Sequence, residues 1–155
     1  MRYDVLHDIV EREGINLIYW DFAEPVRGLY VRQPGIPPFI GISTAILDIP
    51  AEYYSVLGEE IGHHFTIPIN MISTTCLNYQ DRLSISALEH KALCWAAQFL
   101  IDIDDIRSAL AKGYNNHKDL STYFGLTEEL VTYRMGMPDA IKLCYEQSLM
   151  YLRNN

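Results

Sequence analysis

Val56-Leu57-Gly58-Glu59-Glu60-Ile61-Gly62-His63-His64-Phe65-Thr66 is the stretch on which the fold turns. Tyr54, Leu57, Ile61 and Phe65 recur at helical spacing between Ala51 and Thr66, with Pro50 as a tolerated start and Pro68 just past the end. On a helical wheel Glu59 and His63 fall opposite that apolar stripe, with Glu60 at the edge of their face. The stripe is expected to anchor the helix and the polar face to serve a site. In an H-E-x-x-H helix two metal ligands stand at i and i+4, and the intervening Glu is the general base. Here Glu59 takes the place of the first histidine, His63 that of the second, and Glu60 that of the base. Glu60 and His64 form a competing i, i+4 pair, but that register puts Ile61 where a carboxylate is needed. The plainer alternative for these residues is a solvated, hydrogen-bonded Glu/His patch.

A catalytic zinc site typically takes three protein ligands and keeps a fourth position open. The third is sought on a second strong helix, from about Ser84 to Asp102, whose stripe is Leu88, Ala92, Trp95, Ala96, Phe99 and Leu100. Glu89 shares a face with Ala92 and Ala96, small residues that permit close helix approach, whereas His90 points about 100° away. Glu89 is therefore the candidate ligand. Gly58 and Gly62 are likewise an i, i+4 pair, and glycine in a helix interior weakens it unless close packing requires it. The two helices are expected to pack together.

Around this pair the chain reads as α+β. Tyr3 to Glu13 has helical spacing and stops at Gly14. Ile15 to Trp20, Val26 to Arg32 and Phe39 to Ile42 are β-rich runs separated by Glu24-Pro25 and by a turn from Gln33 to Pro38, which together suggest a small antiparallel sheet. Ser73 to Arg82 reads as a polar link. After a helix to about Lys112 and a polar loop, Asp119 to Phe124, Gly125-Leu126 and Thr127 to Met135 form a helix-turn-helix-like pattern, Thr127 being the N-cap. Ala140 to Leu152 is expected to be a final helix. The expected division is a core over 1–103 and a helical C-terminal extension over 104–155, packed on that core.

The two helices together resemble those of the ImmA/IrrE metallopeptidases, small proteins often encoded by phages and mobile elements. The segment from Val56 to Thr66 looks like the family's active-site helix, and the segment from Glu89 to Leu100 is similar to its Glu-x-x-Ala-x-x-aromatic-Ala helix. The resemblance extends to the strands near Leu29 to Arg32 and Ile40 to Ile42, and to Phe124 through Arg134. It implies a minimal zincin-like fold, ligand roles for His63 and Glu89, and a base role for Glu60. Glu59 departs from the family pattern, which has His there. With Glu59, His63 and Glu89 as ligands, ion plus ligands carry no net formal charge, one unit below a His₂Glu site, so bound water is acidified less. More oxygen ligation also makes Mn or Fe less unfavourable, with zinc still the first expectation.

Composition narrows the partners. The chain has 155 residues, 49% of them hydrophobic, and a formal net charge of −8, which argues against a broad nucleic-acid footprint. Glu128 and Glu129 would repel phosphate at the start of the second helix of the helix-turn-helix-like pattern. Cys76, Cys94 and Cys144 form no C-x-x-C pair and are odd in number, pointing to a reducing compartment and a cytoplasmic location. No apolar run reaches the roughly 18 residues of a membrane span. The family resemblance implies a protein substrate, a helix-turn-helix repressor, whose cleavage relieves repression. The competing expectation is a non-catalytic regulator, binding protein or DNA, that keeps the fold. Oligomeric state is not legible.

Overall fold

The computed structural model describes residues 2–67, 71–76 and 87–154. In chain order the elements are α1 (Arg2–Arg12), β1 (Asn16–Trp20), β2 (Val26–Arg32), β3 (Phe39–Ser43), a 3-10 turn (Thr44–Ile46), α2 (Pro50–Thr66), β4 (Met71–Cys76), α3 (Ala87–Leu100), α4 (Ile103–Ala111), α5 (His117–Phe124), α6 (Glu128–Met135) and α7 (Pro138–Asn154). They fall into two compact units, Met1–Ala96 and Ala97–Asn155. Among the described residues no helix is long and apolar enough to cross a membrane.

The first unit holds one four-stranded sheet in the order β1-β3-β2-β4. It is mixed, which corrects the antiparallel sheet expected from the sequence. β2 pairs antiparallel with β3 and with β4, but β1 runs parallel to β3, with Ile18 opposite Gly41. The reason is chain path: β1 and β3 are two reversals apart, so they run the same way, and β3 lies between β1 and β2. The turn from Gln33 to Pro38 joins β2 to β3, and Gly35 supplies its positive φ of 82°. β4 is a second correction, because Ser73 to Cys76 belongs to a strand and not to a polar link. The rest of that expected link, 77–82, lies outside the described residues.

One face of the sheet carries α2. Tyr30, Ile40 and Ile42, alternate residues of β2 and β3, are fully buried beneath it, and so are Val56, Leu57 and Ile61 on the helix. Each such aliphatic side chain contributes about 2 kcal/mol of transfer free energy. Glu59, Glu60 and His63 are buried as well, at 7, 0 and 1% exposure, so the alternative of a solvated Glu/His patch does not hold. Cover comes from the sheet on one side, from α3 at Gly62 and from α1, whose Tyr3 stacks on Tyr54 with centroids 4.4 Å apart. Phe65, the last residue of the expected stripe, is instead 44% exposed and stacks on Trp95 with ring centroids 5.1 Å apart.

In the second unit every helix start has a sequence reason where a cap is visible. The Asp102 side chain accepts the N–H groups of Asp104 and Asp105, Asn116 accepts that of Asp119, and Thr127 accepts that of Leu130. Gly125 ends α5 in the left-handed region, at φ 63°, as the helix-turn-helix-like pattern requires. Arg134 of α6, 2% exposed, donates Nε–H to the carbonyl of Ile101 at 2.7 Å and grips Asp139 of α7 through both terminal nitrogens at 2.9 and 2.8 Å. That bidentate pair fixes α7 against α6.

Candidate metal centre

Two close backbone approaches build the site. On β2, a Cβ at Gly28 would stand 2.6 Å from Val56 Cγ1 and 3.0 Å from Glu60 Cδ, and closer still to Glu60 Oε1. A side chain at this position would displace Val56 and the Glu60 carboxylate. The register shift between β2 and β4 falls at Val26/Gly28, a bulge beside this contact. On the other side, a Cβ at Gly62 would stand 3.1 Å from both Cα and carbonyl C of Ala92, and nearer to its carbonyl oxygen. The backbones of α2 and α3 therefore touch where the sequence placed a glycine and an alanine.

The crossing at Gly62 and Ala92 brings the next functional pair together. His63 Nε2 lies 3.1 Å from Glu89 Oε2, with the histidine side chain 1% and the glutamate 32% exposed. Two donors of one tetrahedral zinc shell, at about 2.0–2.2 Å from the ion, stand about 3.4 Å apart, so this N/O pair fits a shared divalent ion. His90, the neighbour of Glu89, is exposed. Glu59 is buried one turn before His63, yet among the described residues no three His, Cys, Asp or Glu side chains form a group able to hold a metal. The structure brings His63 and Glu89 together and sets Glu60 on the same helix over Gly28; it does not gather Glu59 with the pair.

His64 takes a different path. Its Nδ1 is 2.9 Å from the Tyr30 hydroxyl and its Nε2 3.5 Å from Oε2 of Glu13, just past the end of α1. Burial lowers its pKa below the ordinary histidine value, partly offset by Glu13. Burial also raises that of Tyr30. His7 lies 3.4 Å from the Tyr53 hydroxyl, and His117 3.0 Å from that of Thr132. Sequence reasoning missed Gly28 and Tyr30. The available signal was a glycine inside a strand, which marks close approach of another element, with Tyr30 on the same face two residues on.

A helix thus presents a His and a buried Glu over a sheet, and a second helix brings a carboxylate to that His. Residues 10–135 match the family model of the IrrE N-terminal-like domain, peptidase family M78, and the chain belongs to that family. The family is one of metallopeptidases and implies a metal without fixing its identity. A search of curated proteins finds no match to the chain.

Proposed function

We propose that the protein is a metal-dependent peptidase that cleaves a helix-turn-helix repressor and so relieves repression of a mobile element. The observation that carries the peptidase reading is the 3.1 Å approach of Glu89 to His63, residues from two helices, beside Glu60 at the position of a general base. His63 and Glu89 would hold the ion, with Glu59, one turn before His63 on α2, as the third ligand. Zinc suits the mixed N/O donors, with Mn or Fe next. A bound divalent ion supplies Lewis acidity toward the scissile carbonyl.

Glu60 does the proton work. Its carboxylate takes a proton from the attacking water and hands it to the leaving amine nitrogen, a role worth roughly 10²–10⁴ in rate. Glu60 is fully buried, with its carboxylate packed against Gly28 of β2. A second reading is a regulator that keeps the fold and binds a partner without cleaving it, because Glu59 stands where the family pattern has His.

The zinc-loaded protein is incubated with the repressor encoded beside it, and products are resolved by mass spectrometry. Cleavage by wild type, lost in Glu60→Gln with metal retained, supports the peptidase. A metal-free wild type that Glu60→Gln matches in every assay sinks it, and metal binding without cleavage favours the regulator.

A further inference from the structure

Tyr30 touches both histidines at the end of α2, and the proposed chemistry gives it no part. It is fully buried on the helix-facing side of β2, two residues from Gly28. Its ring lies 15° from parallel to that of His63, with centroids 6.5 Å apart. It meets the His64 ring edge-on, at 81° and 5.8 Å, with its hydroxyl on Nδ1. The tautomer that serves both His64 contacts carries the proton on Nε2, facing Glu13, and accepts the tyrosine hydroxyl at Nδ1. A continuous run of contacts thus leads from Glu13 through His64 and Tyr30 to His63 and Glu89.

The need for such a run follows from the ligand's own torsions. A histidine binds a metal through a lone pair in the plane of its ring, and the χ2 torsion that sets that plane has a broad well. Rotation about χ2 swings Nε2 away from Glu89, and a ring lying near parallel to the imidazole resists that rotation. A tyrosine held only by packing could slide; one tied by its hydroxyl to the next residue of the same helix cannot move independently of α2.

We propose that Tyr30 is a positioning residue of the metal centre: anchored through its hydroxyl to His64, its ring sets the plane of the His63 imidazole so that Nε2 faces Glu89. This rests on the metal-peptidase reading above. Its consequence is that the hydroxyl of a residue outside the ligand set controls metal affinity. Loss of an outer-shell partner typically costs 10–100-fold in affinity.

Zinc affinity is measured by competition with a chromogenic chelator for wild type, Tyr30→Phe, Tyr30→Leu, His64→Gln and the Tyr30→Phe/His64→Gln double variant. Thermal melts of the metal-free proteins and the cobalt absorption spectrum are recorded in parallel. Tyr30→Phe is expected to bind about tenfold more weakly and Tyr30→Leu up to about a hundredfold more weakly, each with a changed cobalt spectrum. Because the hydroxyl acts through His64, the double variant binds no more weakly than the weaker of its parents. Variants that melt lower but keep wild-type affinity and spectrum overturn the positioning role and leave the peptidase reading standing. Wild type that binds neither zinc nor cobalt overturns the reading itself. Should Tyr30→Leu fail to fold, Tyr30→Phe and the double variant decide alone.

Discussion

Gly62→Ala sets two opposing effects against each other at the heart of the site. Alanine in place of glycine inside a helix is worth about 1 kcal/mol in its favour. Against it, the added methyl would stand 3.1 Å from two carbon atoms of Ala92 and closer to its carbonyl oxygen, where ordinary carbon contacts lie at about 3.5–4.0 Å. The obstructing atoms are backbone, so no side-chain rotation relieves the overlap. α3 must retreat by about 0.5–1 Å, and overpacking of this kind costs roughly 1–3 kcal/mol. The steric effect wins, leaving a net loss of about 1 kcal/mol and a melting temperature lower by about 2–4 °C. The site loses more than the fold does. Glu89 sits three residues before Ala92 on the retreating helix, so its 3.1 Å contact with His63 opens beyond the span of two ligands on one ion. Zinc affinity should fall at least about tenfold, within the range for a disturbed metal shell. Thermal melts of the metal-free protein and chelator competition measure the two effects separately. A variant that melts above wild type and binds zinc equally well would refute the backbone contact and the placement of Glu89 that depends on it.

Gly28→Ala drives a methyl into Val56 and the Glu60 carboxylate, so kcat should fall at least about tenfold while zinc stays bound, read by turnover beside metal analysis. Arg134→Met removes the donor to the Ile101 carbonyl and both bonds to Asp139, and should cost about 2–4 kcal/mol in a chemical denaturation curve. The Arg134 hydrogen bonds hold the Asp139 carboxyl below its ordinary value of 3.8. A depressed carboxyl stabilises the fold above that value and loses the effect as pH falls through the lower folded-state value. Asp139→Asn should therefore melt below wild type at pH 7, with the gap closing as pH drops below 3.8.

The helices were legible because their signals are local. The stripe over Ala51 to Thr66 and the flanking prolines mark α2, and Gly125 and Thr127 mark the turn between α5 and α6. The small residues Gly62 and Ala92 announced a helix contact that the fold makes. What stayed hidden was non-local. The order of strands depends on which runs meet after two chain reversals, so β1 beside β3 cannot be read from the runs themselves. β4, rich in Ser and Thr, looks like a linker until β2 supplies its hydrogen-bond partners. The Glu/His face of α2 has the polarity of a solvated surface, and its burial is decided by the sheet and α3 closing over it. Tyr30 and Gly28 belong to a strand that comes near α2 only in three dimensions, so no spacing in the sequence ties them to Glu60 or His63.

The ion itself is the most direct test. Wild type, His63→Ala and Glu89→Gln are dialysed against zinc, freed of excess, and assayed for metal by mass spectrometry with circular dichroism as a check on folding. One tightly held ion per wild-type chain, lost from both folded variants, is the expected result. A folded wild type that retains no metal, or variants that retain as much as wild type, would contradict a metal centre at His63 and Glu89.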